Sequence, residues 1–285
     1  MKRPVIRAAV VVFIASFCTL VIEIVAGRIL APYVGVSLYT WTSIIGVVLA
    51  GISAGAWAGG WLADRRPSPS TLGWLLVASG LTALLVAPAA DFLGADSGLL
   101  TDLGIARTLL QRVALLSFLL LFIPAFFLGM ISPVAVKLAV ANLETTGRTV
   151  GKIYAFSTLG SIAGTFVTGF YLVARFGTRM TMLGVGVTLL LSAALLGGLL
   201  GRRGKAAVAA FAVTLAALAA FGPRRLAPPF LPTDPLLTGG GTLHFEESQY
   251  YTIRVEQTVR EDNGAPLTAL HLDHLIHSYT DLRDP

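Results

Sequence analysis

The chain has 285 residues, 55% of them hydrophobic and only 13% charged, with a mean hydropathy of +0.78. Soluble domains carry about 25% charged residues, so a disordered chain is excluded, a soluble enzyme as the whole protein is disfavoured, and a polytopic helical membrane protein is the default. The net charge of +6 does not indicate nucleic-acid binding, because Lys and Arg cluster in short groups between apolar runs, where they set membrane orientation.

In chain order, the first apolar run extends from Ala8 to Leu30. It is too long for the apolar core of a signal peptide and has no Ala-x-Ala site before it ends, so it reads as a retained helix. It holds the single cysteine, Cys18, which excludes an intrachain disulfide. A spanning helix needs about 20 mostly apolar residues. Segments 8–30, 40–62, 72–90, 109–131, 150–174 and 180–200 meet or approach this, and 206–221 is either a short span or an interfacial helix. The predicted fold is an all-α polytopic membrane domain of six or seven transmembrane helices over 1–221. A Pro/Gly-rich linker follows over 222–241, and a small β-hairpin segment over 242–285.

The basic groups Lys2, Arg3 and Arg7, then Arg65 and Arg66, then Lys137, Arg148 and Lys152, then Arg202, Arg203 and Lys205 fall in alternate connections. By the positive-inside rule the N-terminus is cytoplasmic. Arg175 and Arg179, and Arg224 and Arg225 beyond the seventh segment, run against this pattern.

Glu23 lies well inside the first span, with Arg28 five residues on. An ionisable group in hydrocarbon must face the bundle interior, pair or be protonated, and is a functional candidate by default. The bland alternative is a structural ion pair. Gly51, Gly55 and Gly59 in the second span, and Gly160 and Gly164 in the fifth, recur at the spacing that lets helix backbones approach closely in lipid. Pro124 and Pro133 are expected to bend or end the fourth span, with Lys137 snorkelling beyond it. The second span closes on Gly60-Trp61-Leu62-Ala63-Asp64-Arg65-Arg66. With Gly60, Asp64 and Arg65 in register, this resembles the loop between helices 2 and 3 of major facilitator superfamily transporters. The later basic residues of that motif are replaced by Pro67-Ser68-Pro69.

Beyond Pro223 the prolines cannot continue a helix. Leu243–Val259 reads as strand, Asn263-Gly264 as a hairpin turn, and Leu267, Ala269, His271 and Asp273 as one face of the next strand. His271, Asp273, His274 and His277 do not fall on one face of either a strand or a helix, so no metal site is expected. No nucleophile–base pair and no glycine-rich phosphate loop is visible, and no catalytic residue is assigned.

The order of spans, proline linker, Glu247-Ser248-Gln249-Tyr250-Tyr251-Thr252-Ile253-Arg254-Val255 and Leu270-His271-Leu272-Asp273 resembles the fused membrane/spermidine-synthase-like proteins of bacteria. Three further stretches fit that family: Glu23–Pro32, Ser37–Thr42 and Gly151–Ser161. The resemblance implies a membrane part similar to half of a major facilitator transporter, in the plasma (inner) membrane of a bacterium, followed by the start of the small N-terminal β-domain of a polyamine aminopropyltransferase. It places Tyr250, Tyr251, Asp273 and His277 at the substrate cleft. Tyr251 stands where the family has its first glutamine, His274 where it has glycine, and His277 where it has its second glutamine. The Rossmann-like domain that would bind decarboxylated S-adenosylmethionine and supply the catalytic base is not in this sequence, so no cofactor is expected in the chain itself.

Three functions follow as expectations. The first is the membrane-anchoring N-terminal part of a spermidine synthase-like protein, not catalytic alone and served by a Rossmann-like catalytic domain or subunit. The second is a half-transporter that moves a small cationic or metabolite substrate as a homodimer. The third is a membrane scaffold for a soluble enzyme. In each, the lipid bilayer is a partner and nucleic acid is not.

Overall fold

The computed structural model describes residues 3–95, 108–140 and 145–198, and four strands within 242–280. The helices are α1 (Arg3–Val34), α2 (Leu38–Arg65), α3 (Pro69–Ala95), α4 (Leu109–Ala139), α5 (Thr146–Val167) and α6 (Val173–Leu196). A π-helical turn, Thr168–Leu172, joins the last two.

Local signals account for the boundaries. Gly35, at a φ of 75°, stops α1. Ser37 then caps α2, its hydroxyl accepting from the Thr40 N–H at 3.2 Å. Thr108 and Gln111 form a reciprocal capping box at the start of α4. Pro124 and Pro133, expected to bend or end this helix, do not end it: it runs to Ala139, past the expected limit at 131. In a packed membrane helix, neighbouring groups compensate the backbone that proline frees. Lys137 thus lies in the last helical turn rather than in a loop.

Five helical runs among the described residues are long and apolar enough to cross a membrane. The fifth, Thr146–Leu196, has 51 residues. Straight, it would be about 77 Å long at 1.5 Å per residue, against about 30 Å of hydrocarbon. It is not straight: Gly177 has φ 73° and ψ 175°, a conformation suited to glycine. Gly160 and Gly164 of α5 lie against Phe13 and Phe17 of α1, so α5 runs parallel to α1. On α6, Arg179 lies near Tyr33 through Asp91, and Leu196 lies at Arg7, so α6 runs antiparallel to α1. The chain reverses at Gly177. The segments expected at 150–174 and 180–200 are two arms of one helical run, while 206–221 falls outside the described residues.

Glycine sets the spacing of the closest helix pairs. The buried stripe of α2 is Thr40, Ile44, Val48, Gly51, Gly55, Gly59 and Ala63, one residue per turn. A Cβ at Gly59 would stand 2.6 Å from the Met130 Cα, and one at Gly129 would stand 2.5 Å from the Ile52 carbonyl oxygen. Backbone-to-backbone packing of this kind replaces the missing hydrophobic drive between helices in lipid.

Polar contacts cluster at the two ends of the bundle. At one end the Arg7 guanidinium donates to the Leu196 carbonyl, closing the C-terminus of α6. At that same end Asp64 of α2 pairs with Lys137 of α4 at 2.7 Å. At the other end Arg179 makes two bonds of 2.6 Å to the Asp91 carboxylate, which also accepts from the Tyr33 hydroxyl at 2.8 Å.

The C-terminal strands are β1 (Thr242–Glu247), β2 (Thr252–Val259), β3 (Pro266–Leu272) and β4 (Leu275–Thr280). They pair antiparallel in the order β1-β2-β3-β4. The single strand expected over 243–259 is two strands paired with each other, Glu247 opposite Thr252. Ser248–Tyr251 contains neither Gly nor Pro, so the sequence there carries no strong turn signal. The hairpin expected around Asn263-Gly264 is present, with Val259 opposite Pro266. Leu267 and Ala269 are buried on the expected common face of β3.

Candidate functional site

Glu23 is half-buried on α1. Arg28 is five residues on, about 140° around a helix of 3.6 residues per turn, so the two do not face each other. Neither ion pair described above involves Glu23, and Glu23 has no hydrogen-bond or ion-pair partner among the described residues. The structural ion pair with Arg28 is therefore not formed.

On the Glu23 face of α1, residues recur at three- and four-residue steps: Ser16, Thr19 and Leu20, then Glu23, then Gly27. Beyond Glu23 the face is roofed by Trp41, whose Cη2 would stand 2.7 Å from a Cβ at Gly27. Before Glu23 the face opens into a cavity of about 370 Å³ between α1, α2, α4 and α5. Six hydroxyl side chains line it: Ser16, Thr19, Ser132, Tyr154, Ser157 and Ser161. Ser16 and Ser157 hydrogen-bond across the α1–α5 contact at 2.7 Å. Leu20, Ile52 and Leu128 supply apolar wall, and no Lys, Arg or His is among the lining residues.

The proline in α4 adds an acceptor to this wall. Pro133 has no N–H for the carbonyl four residues back, which is that of Gly129. Both residues line the cavity. Their positions follow from the small-residue packing: Gly129 brings α4 against Ile52 of α2, and Gly160 brings α5 against Phe13 of α1. Four helices thus surround a hollow, and three of them, α1, α4 and α5, contribute hydroxyls to it.

The loop-motif residues lie elsewhere. Asp64, with its side chain 71% exposed, bridges to Lys137, while Arg65 stacks on Trp61 with its guanidinium carbon 3.8 Å from the ring centroid. Gly60 has open space where a Cβ would stand. These residues tie α2 to α4 and anchor the helix end, and none of them lines the cavity.

In the C-terminal sheet, Tyr250, Tyr251 and Asp273 fall outside the described residues. His277 lies in β4. The register nevertheless groups the strand ends flanking these positions. Glu247 faces Thr252, Ile253 faces Leu272, and Leu272 faces Leu275. These strand ends therefore lie at one end of the sheet. No cluster of metal-ligating side chains occurs among the described residues.

The cavity hydroxyls were not singled out in the sequence. Each is a common residue in a helix. The available signal was the pair of repeats Ser16/Thr19 and Ser157/Ser161 inside apolar runs, but only the fold brings the two repeats together. No protein-family description, curated protein or solved structure matches the chain.

Proposed function

We propose that this chain is the membrane-anchoring part of a spermidine synthase-like protein, with aminopropyl transfer carried by a Rossmann-like domain or subunit outside the sequence in hand. On this reading the helical part crosses the membrane six times through 196, counting the arms on either side of Gly177 as separate passes. The bundle end that carries Arg7, Arg65, Arg66, Lys137, Arg148 and Lys152 faces the cytoplasm. Arg179, which runs against this orientation, is paired with Asp91 at the opposite end.

The observation that carries the reading is the strand register. It sets the end of β1 at Glu247 and the start of β2 at Thr252 at the same end of a four-stranded antiparallel meander as the end of β3 at Leu272 and the start of β4 at Leu275. These strand ends flank the two stretches on which the family resemblance rests, and in that family both stretches belong to one substrate cleft. Deprotonating an amine that is largely protonated at neutral pH needs a base, and on this reading the further domain supplies it.

The test is the intact mass of the protein purified from its native membranes, with its stoichiometric partners. The expected result is a mass about 20 kDa or more above 29.9 kDa, the size of one further domain, or an equimolar partner of that size. A species of 29.9 kDa with no stoichiometric partner refutes the proposal.

A further inference from the structure

We propose that the cavity between α1, α2, α4 and α5 binds a small organic ammonium ion with an aliphatic body, its charged end held by Glu23. This site is independent of the anchoring role and of any catalytic domain.

The first argument is geometric. Ser16, Thr19 and Leu20 of α1 line the cavity. Glu23 follows at i+7, i+4 and i+3 from them, so it shares their face. Helical side chains lean toward the N-terminus and cover the preceding turn. Glu23 is not itself among the residues that line the cavity; it stands one turn beyond Thr19 and Leu20, and a side chain leaning back over that turn comes to the cavity's edge. On its other side, Trp41 packs over Gly27 and closes the face.

The second argument is chemical. The lining offers hydroxyl oxygens from three helices and the Gly129 carbonyl that Pro133 leaves without its helical donor. The nearest formal charge on the α1 face is negative, and no cationic side chain lines the cavity. An acceptor-rich wall beside an unpaired carboxylate selects a cation that donates hydrogen bonds. The apolar walls of Leu20, Ile52 and Leu128 suit methylene groups rather than a hydrated metal ion. A volume of about 370 Å³ lies at the small end of ligand pockets. Finally, a carboxylate without a partner is costly at membrane depth, and a bound ammonium ion supplies that partner.

The experiment is isothermal titration calorimetry of the full chain in lipid nanodiscs with butylammonium chloride at fixed ionic strength. Sodium chloride and neutral butanol serve as competitors. Saturable binding is expected, displaced by neither competitor. Glu23→Gln keeps the shape and removes the charge, and it should weaken binding about tenfold to a hundredfold, as for loss of a charge-assisted hydrogen bond. Ala56→Phe fills the hollow from α2, leaves Glu23 untouched and should abolish binding, which keeps the test decisive if Glu23→Gln fails to fold. Any of four results overturns the proposal: no saturable heat with the unaltered protein, unchanged affinity in a folded Glu23→Gln, unchanged affinity in Ala56→Phe, or displacement by sodium ion or butanol at equal concentration.

Discussion

Gly164→Ala probes the contact that holds the cavity together. A Cβ at Gly164 would lie 2.5 Å from the Phe17 carbonyl oxygen and 3.1 Å from the Phe17 Cα. Ordinary contact begins at 3.4 Å, so α1 and α5 must part by 3.4 − 2.5 = 0.9 Å at this level. The obstacle is backbone, which cannot rotate away as a side-chain tip can. The separation also strains the Ser16–Ser157 hydrogen bond, now 2.7 Å, two turns away on the same pair of helices. Overpacking of this kind costs about 1–3 kcal/mol. Gly151→Ala is the matched control on the same helix, because nothing lies within 4 Å of a Cβ there. With no steric obstacle, alanine should stabilise by about 0.5–1 kcal/mol through helix propensity. The two variants are thus predicted to move in opposite directions, separated by about 1.5–4 kcal/mol. Reversible unfolding in mixed SDS micelles, followed by far-ultraviolet circular dichroism, measures both. Equal effects of the two substitutions would refute the packing argument.

Arg179→Ala leaves the Asp91 carboxylate, about four-fifths buried, without its two-bond partner, and should cost about 3 kcal/mol in the same unfolding assay. Arg179→Lys should recover only part of that loss, since a point charge cannot reproduce the paired geometry. The Asp64–Lys137 bridge is exposed, so Lys137→Ala should change stability by about 1 kcal/mol or less. A larger loss there would mean that the bridge holds α2 and α4 together more firmly than its exposure implies. Arg7→Ala removes the donors to the Leu196 carbonyl and should cost about 1–2 kcal/mol, read as faster hydrogen exchange at the C-terminus of α6. Pro133→Ala restores an N–H to the Gly129 carbonyl. It should leave α4 at least as stable while weakening butylammonium binding about twofold to tenfold by calorimetry.

Much of the helical architecture can be read from local composition, because lipid imposes local rules. Every backbone group must bond within its own helix, so each crossing needs a long apolar run, and such runs stand out in this sequence. Gly51, Gly55, Gly59, Gly160 and Gly164 likewise declare themselves, since small residues at four-residue steps mark close helix contact in any helical neighbourhood. Termini are less legible. Pro133 reads as a stop but lies inside α4, and Ser248–Tyr251 reads as continuous strand although β1 ends at Glu247. In both cases partners outside the segment decide: the packed neighbours of α4, and the pairing of β1 with β2.

The sequence by itself determined that this is a helical, membrane-type chain with an apolar bundle and a β-rich end, because hydropathy and periodicity are properties of each segment alone. It also marked Glu23 as exceptional. Only the tertiary structure decided that the face of α1 carrying it borders a hydroxyl-lined cavity. Serines 16, 132, 157 and 161 come from three separate helices, and they converge because glycine brings α1 against α5 and α2 against α4 at backbone distance. The same packing decided that Arg179 meets Asp91 and that Arg28 does not meet Glu23. Pairing between helices depends on their rotation and approach, which no single segment encodes.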